Sequence, residues 1–170
     1  TSARMADLKP MVEKLREAGV SVRELKNAIK VSAKKKIKSV RITTLPHPGF
    51  PTDMQPQMMA LLSTADGVSI IRETVWENRF LHVAELGRMG ADLEVQGNSC
   101  IVNGGAPLTG SKVVSTDLRA GAALVLAGLA ADNHTTVYNI HHIDRGYEGF
   151  HEKLTGLGAE VKRISRPEQA

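Results

Sequence analysis

"LRAGAALVLAGLAA", residues 118–131, is apolar on every side after its first turn and consists mostly of small residues. A helix at a protein surface keeps one polar face, so a helix without one must be enclosed. At about fourteen residues it is shorter than the roughly 20 that a bilayer crossing needs. It is therefore expected inside a protein, with neighbours lying close against its small side chains. Such a helix implies repeated units whose helices point inward and whose sheets face solvent, the reverse of the usual α/β layering.

A repeat runs through the chain. Three times an amphipathic helix ends in a Leu-x-x-x-Gly-small pattern and passes into a short alternating strand: "LREAGVSV" (15–22), "LGRMGADLEV" (86–95) and "LTGLGAEVKRI" (154–164). In each, Gly19, Gly90 or Gly158 falls where a left-handed helix cap is needed, and the apolar alternation after it has the period of a half-buried strand. The segments "RITTLPHPGFPTDMQPQMMALL" and "KVVSTDLRAGAALVLAGLA" both pass from a β-like stretch through a Thr-Asp pair into a helix. Each continues through a short strand to an arginine before the next helix, Arg79 in "ENRF" and Arg145 in "DRGY". The expected units are about 1–44, 45–112 and 113–170, within one domain, since no low-complexity linker divides the chain.

Composition sets the surroundings. With 42% hydrophobic residues in 170, one packed core of ordinary size is expected. No stretch is apolar enough to span a membrane, and "TSARMADLKP" lacks the layout of a secretion signal, so the cytoplasm is the expected location. The single cysteine, Cys100, excludes an internal disulfide framework and a cysteine-based zinc cluster, and "NSCIVNG" reads as a strand with a buried structural thiol. The formal charge of +4 is uneven: residues 1–44 carry 12 Lys or Arg against 4 acids, and the remainder 10 against 14. The basic run "KVSAKKKIKSVR" reads as two exposed strand edges joined by a Lys-rich turn, with a polyanion-binding patch as the alternative. Without interleaved aromatic residues for base stacking, no nucleic-acid partner is expected.

Two readings of the Thr-Asp pairs are open. In "TDMQ", Thr52 as N-cap and Gln55 three residues on would form a capping box, with Asp53 favoured by the helix dipole; Thr116 and Asp117 could act similarly. The other reading is chemical. Pro46, Pro48 and Pro51 fix three φ angles just before Asp53, a stiffness that suits a carboxylate placed for general acid or base work. Arg79, Arg119 and Arg145 all lie near helix starts, and the repeat could gather them at one end with Asp53 and Asp117. Arginine forks match carboxylate and phosphate oxygens, so an anionic substrate is one reading and a surface salt-bridge network the other. "HHID" (141–144) reads as a strand that points His141 and His142 to opposite faces, a poor metal site. "NGGAPLTGSK" lacks phosphate-loop spacing and reads as a hairpin loop. Trp76 beside Glu77 could line a binding face.

Together, "LPHPGFPTDMQPQ", "ENRFLHVAELGRMGA", "TDLRAGAALVLAGLAA" and "HIDRGYEGFHEKLTGLGA" resemble the C-terminal part of the bacterial UDP-N-acetylglucosamine enolpyruvyl transferases, over about Leu8 to Arg163. The resemblance implies an inside-out α/β barrel, helices inside and sheets outside. It implies transfer of enolpyruvyl from phosphoenolpyruvate to the 3′-hydroxyl of UDP-N-acetylglucosamine, releasing phosphate through a tetrahedral intermediate, as the first committed step of peptidoglycan synthesis. The site would lie in a cleft between this barrel and an N-terminal partner domain, with no metal and no organic cofactor. Carried over, Asp53 contacts the sugar hydroxyl as base or proton shuttle. Glu77 and Arg79 count among the substrate-binding residues, with the backbone just before them near the uracil and Arg79 approaching the substrate carboxylate. Asp117 with Arg119, and Arg145, complete the catalytic set, the arginines binding the carboxylate and phosphate. Trp76 stands where an aromatic residue is usual.

The family's N-terminal Lys-Asn pair, the partner domain's arginines and its reactive loop cysteine have no counterpart here, and Cys100 is not that cysteine. The chain alone, an incomplete C-terminal barrel, is therefore expected not to turn over. The alternatives are a non-catalytic nucleotide-sugar-binding or interaction domain and an enolpyruvyl transferase acting on shikimate 3-phosphate.

Overall fold

The computed structural model describes residues 3–33 and 36–164. A 3-10 turn at Met5–Leu8 leads into α1 (Lys9–Glu17), followed by the hairpin β1 (Ser21–Leu25) and β2 (Ala28–Ser32). The chain then runs from β3 (Arg41–Thr43) through α2 (Gln55–Ser63) to β4 (Val68–Arg72), the parallel neighbour of β3. After α3 (His82–Arg88) comes a second hairpin, β5 (Asp92–Gln96) and β6 (Ser99–Asn103). β6 lies antiparallel beside β4, giving a four-stranded sheet in the order β3-β4-β6-β5. A second parallel crossover, β7 (Lys112–Val114), α4 (Leu118–Ala130) and β8 (Thr136–Tyr138), is followed by α5 (His141–Asp144) and α6 (Phe150–Gly156).

The core lies where α2 and α4 pack on each other and on the four-stranded sheet. Met59 and Leu62 of α2, Leu124 of α4, Ile42, Ile71 and Val102 of the strands and Leu86 and Met89 around α3 are all fully enclosed. Small residues let the elements approach: a Cβ on Gly121 would stand 2.4 Å from Ser115 Oγ and 2.6 Å from Ile143 Cγ1. Cys100 is also fully buried, and burial pushes its thiol up to about 12, as an inert core group. α2 is the more completely enclosed helix, because Gln55, Gln57 and Ser63 are buried along with its apolar residues. Enclosure of α4 holds for Ala120–Leu124 and Ala127, whereas Leu126 and Leu129 near its C-terminus are exposed. Among the described residues, no helix is long and apolar enough to cross a membrane.

The three Leu-x-x-x-Gly endings share one geometry. Gly19, Gly90 and Gly158 have φ of 90°, 89° and 94°. Behind them the N–H groups of Val20, Ala91 and Ala159 donate to the carbonyls of Leu15, Leu86 and Leu154, and the glycine N–H groups donate to carbonyls three residues back. This is the two-bond Schellman closure, which needs a left-handed residue.

Several local expectations are corrected. β1 and β5 are held by their hairpin partners, but the alternating segment 159–164 meets no partner strand among the described residues and is not a strand. "NGGAPLTGSK" joins β6 to β7, which lie in different sheets, so it is a connection between sheets and not a hairpin loop. His141 and His142 belong to the short helix α5, their rings 4.1 Å apart, because the chain turns at Asn139 (φ 56°) directly after β8 and the strand does not reach them. In the basic run, β2 pairs with β1 and β3 with β4, not as one hairpin; Lys36 lies 3.4 Å from Asp66, and Lys34 and Lys35 fall outside the described residues.

The cap geometry gives a paired prediction. Gly19→Ala meets no neighbouring atom but forces a side chain into the left-handed region, so it should destabilise by about 1 kcal/mol. Gly87→Ala, within α3 and also in open space, should stabilise by about 0.5–1 kcal/mol. Urea denaturation of the two variants measures both signs.

Candidate functional site

The site is built from the loops that enter α2, α3 and α4. Beyond β3 the chain closes a tight loop: Leu45 N–H donates to Phe50 O at 3.0 Å and Gly49 N–H to Pro46 O at 2.8 Å, with Phe50 buried beneath. It then forms a 3-10 turn, Thr52–Met54, leading into α2. Asp53 projects from that turn, its side chain 55% exposed. The expected capping box does not form: Pro51 occupies the N-cap position of the turn, no side chain caps it, and the Thr52 hydroxyl donates instead to Glu73 Oε2 at 2.8 Å. Gln55 is fully buried, away from any capping role.

At α4 the cap is Asp117, in extended conformation, and not Thr116. Its Oδ1 accepts the N–H groups of Arg119 at 2.8 Å and Ala120 at 3.0 Å. This fixes the first turn of α4 and thereby the base of the Arg119 side chain. The third loop carries Trp76, 61% exposed, then Glu77, and then Asn78 in the left-handed region at φ 53°, a turn that directs Arg79 back toward α2.

The three loops meet at one carboxylate. Arg79 Nη2 donates to Asp53 Oδ1 at 2.8 Å, and Arg119 Nη2 donates to Oδ2 at 2.8 Å. Arg119 Nε lies 2.7 Å from Oδ1 but off-line for a hydrogen bond, so that contact is an ion pair only. The Arg79 and Arg119 side chains are 20% and 32% exposed, which leaves their attraction less screened than at an open surface. Asp53 is consequently held below its ordinary 3.8: the Arg119 hydrogen bond is the largest cause, burial opposes it, and the charges of both arginines and the Arg79 hydrogen bond add to the depression. Trp76, Glu77, Asn78, Arg79, Leu81, Asp117 and Arg119 line a cleft of about 220 Å³ beside this cluster. Such a cleft offers paired guanidinium forks to an oxyanion, a carboxylate to a hydroxyl and an exposed aromatic face to a flat ring.

Of the residues expected from the sequence, Asp53, Trp76, Glu77, Arg79, Asp117 and Arg119 are thus gathered at one place. Arg145 is not: it closes the C-terminus of α5, exposed, outside the lining of the cleft and in no ion pair among the described residues. Three participants had no clear signal in the sequence. Glu73 lies under two of the loops, Tyr147 accepts a hydrogen bond from Gln57 Nε2 at 3.0 Å, and His82, at the start of α3, is buried with Nε2 3.2 Å from Met59 Sδ. Among the described residues, no group of three or more His, Cys, Asp or Glu gathers as a metal site.

Burial pushes His82 down from 6.5 to about 4; Asp117 opposes this shift and Arg79 adds to it. Between these two values the unfolded chain binds a proton at His82 that the folded chain does not. Folding stability should therefore fall as pH drops from 6.5 toward 4, and His82→Leu should remove that part of the slope. Urea midpoints measured across this range for parent and variant check the sign.

Comparison with known proteins follows the same lines. Residues 1–154 match the family described as EPSP synthase (3-phosphoshikimate 1-carboxyvinyltransferase). The chain is 57% identical over 160 residues to UDP-N-acetylglucosamine 1-carboxyvinyltransferase 2 of Carboxydothermus hydrogenoformans, covering 93% of this chain and 38% of that protein. It is 52% identical over 157 residues to UDP-N-acetylglucosamine 1-carboxyvinyltransferase of Halothermothrix orenii, covering 92% of this chain and 38% of the relative. It thus spans well under half the length of these curated relatives. The enolpyruvyl transferase NikO of Streptomyces tendae superposes with a TM-score of 0.84 at 35% identity, over 91% of this chain and 36% of that one. EPSP synthase of Acinetobacter baumannii, at 17% identity and a TM-score of 0.72 over 92% of this chain and 40% of that one, shares the fold.

Proposed function

The chain belongs to the EPSP synthase family, and from that premise we propose that it supplies one wall of the active site of an enolpyruvyl transferase acting on UDP-N-acetylglucosamine. The observation that carries this reading is the meeting of Arg79 and Arg119 on Asp53 at the edge of the cleft. Identities of 49–57% to proteins named for that activity support the nucleotide sugar as acceptor over shikimate 3-phosphate. In this reading the chain is an incomplete inside-out barrel of units near 1–44, 45–112 and 113–170. The helix pair α2 and α4, with sheets around it, supports that description. The remainder of the enzyme is an N-terminal domain facing the cleft, the location is cytoplasmic, and the product enters peptidoglycan synthesis.

The resting geometry suggests how the reaction is prepared. With both arginines on it, Asp53 is a weak base. When phosphoenolpyruvate binds, its carboxylate and phosphate compete for the same guanidinium groups. Arg79 and Arg119 turn to the substrate, and Asp53 recovers basicity beside the acceptor hydroxyl. The hydroxyl oxygen then adds to C2 of phosphoenolpyruvate as Asp53 takes up its proton and C3 gains one from solvent; the tetrahedral adduct then returns a C3 proton to solvent as the C2–O bond to phosphate breaks, restoring the double bond. The arginines stabilise the charge that gathers on the phosphate and carboxylate oxygens. Asp117 holds Arg119 in register through the helix cap, Trp76 offers a face to the uracil, and Arg145, which the family resemblance adds to the substrate-binding arginines, lies outside the cleft lining.

Phosphate release from phosphoenolpyruvate, dependent on UDP-N-acetylglucosamine, tests the proposal. The chain alone should be silent, and mixing it with a separately expressed N-terminal half should give turnover. In that mixture Asp53→Asn or Arg119→Ala should lower turnover by about a hundredfold or more while circular dichroism is retained. Activity within a few-fold of the parent would overturn the site assignment.

A further inference from the structure

Glu73, just past the end of β4, is 2% exposed, yet among the described residues no cation pairs with it. Its charge is met instead by four hydrogen-bond donors from three segments. Oε1 accepts the Thr44 hydroxyl at 2.6 Å and the N–H groups of Val75 and Trp76 at 2.9 and 3.1 Å; Oε2 accepts the Thr52 hydroxyl at 2.8 Å. Thr44, fully buried at the end of β3, in turn accepts the N–H of Thr74 at 2.9 Å. A carboxylate taken out of water is stable only when its lone pairs are met in this way, and these donors are strong because the acceptor is ionised. The residues so held are not arbitrary. Thr52 immediately precedes Asp53, and Trp76 opens the turn that ends at Arg79.

We propose that Glu73 is a positioning residue that ties the Asp53 turn and the Trp76–Arg79 loop into one rigid body, fixing carboxylate and guanidinium from below while they meet above. The enzymatic part of this claim rests on the functional reading given above; the mechanical part does not. Hydrogen bonding by the two hydroxyls and two amides also holds Glu73 below its ordinary 4.5, against the opposing effect of burial, in keeping with a permanently charged anchor.

Trp76 is the only tryptophan of the chain, so its fluorescence reports on the loop directly. Three variants decide the matter: Glu73→Gln, Thr52→Val, which deletes one hydroxyl at nearly constant shape, and Thr52→Ser, which restores it. Acrylamide quenching of Trp76 is measured in the 170-residue chain, and steady-state kinetics in the mixture with the N-terminal half. The expected result is increased quenching in Glu73→Gln with circular dichroism unchanged. Thr52→Val should lower kcat at least tenfold with KM for phosphoenolpyruvate within threefold, and Thr52→Ser should return kcat to within threefold of the parent. If Glu73→Gln does not fold, the Thr52 pair decides alone. Unchanged quenching together with kcat within twofold in Thr52→Val would overturn the proposal, as would a Thr52→Ser variant no better than Thr52→Val. A parent mixture that releases no phosphate would overturn the functional reading instead, and Trp76 quenching would then decide the mechanical claim.

Discussion

Close packing of α2 on α4 is the constraint from which the site follows. Small side chains at Ala120, Gly121, Ala123 and Ala127 let α4 sit deep in the core, and the parallel crossovers put the N-termini of α2 and α4 at the same end. A carboxylate in the turn before one helix and a guanidinium in the first turn of the other are then 2.8 Å apart, although 66 residues separate them in sequence. A larger residue at Gly121 would push against Ser115 and Ile143 and alter that spacing. Packing in the interior thus sets an electrostatic distance at the surface.

The electrostatics are those of a partly exposed cluster with a net positive charge. Two guanidinium groups share one carboxylate, so the cluster carries more positive than negative charge where they meet, and each arginine keeps donors free for a second oxyanion. The second carboxylate nearby, Asp117, is committed to the backbone of α4 and does not compete for the arginines through a hydrogen bond. Two acids of the same Thr-Asp pattern therefore do different work, one as a helix cap and one as the counterion of two arginines. The difference lies in the backbone: Asp117 is extended and faces its own helix, whereas Asp53 lies inside a 3-10 turn and faces outward.

Much of this was legible from residue types and spacing. The glycines at 19, 90 and 158 announced their caps because few other residues tolerate that backbone. An apolar helix at 118–131 announced an interior, though Leu126 and Leu129 are uncovered and α2, disguised by two glutamines and a serine, is the better enclosed. Arg79 and Arg119 could be assigned to one end with Asp53 from the repeat alone. The same logic placed Arg145 there, but over the same seven residues after its strand the chain coils into α5, and Arg145 closes that helix outside the cleft lining. Glu73 was hidden for another reason: "RETV" looks like a solvated strand end, and only the folded chain brings Thr44 and Thr52 to its carboxylate. Capping patterns misled at Thr52 because its hydroxyl donates to the buried Glu73 carboxylate, which turns it away from the helix N–H groups it would otherwise accept from.

The central claim is that packing forces Arg119 onto Asp53, and its most direct measurement is a carboxyl-carbon NMR titration of Asp53 in the parent chain and in Arg119→Ala. The account predicts a parent midpoint below the ordinary 3.8 that moves up toward it in the variant, since the Arg119 hydrogen bond is the largest cause of the depression. Equal, ordinary midpoints in the two proteins would mean that the arginine is not on the carboxylate in solution, and would contradict the account at its root.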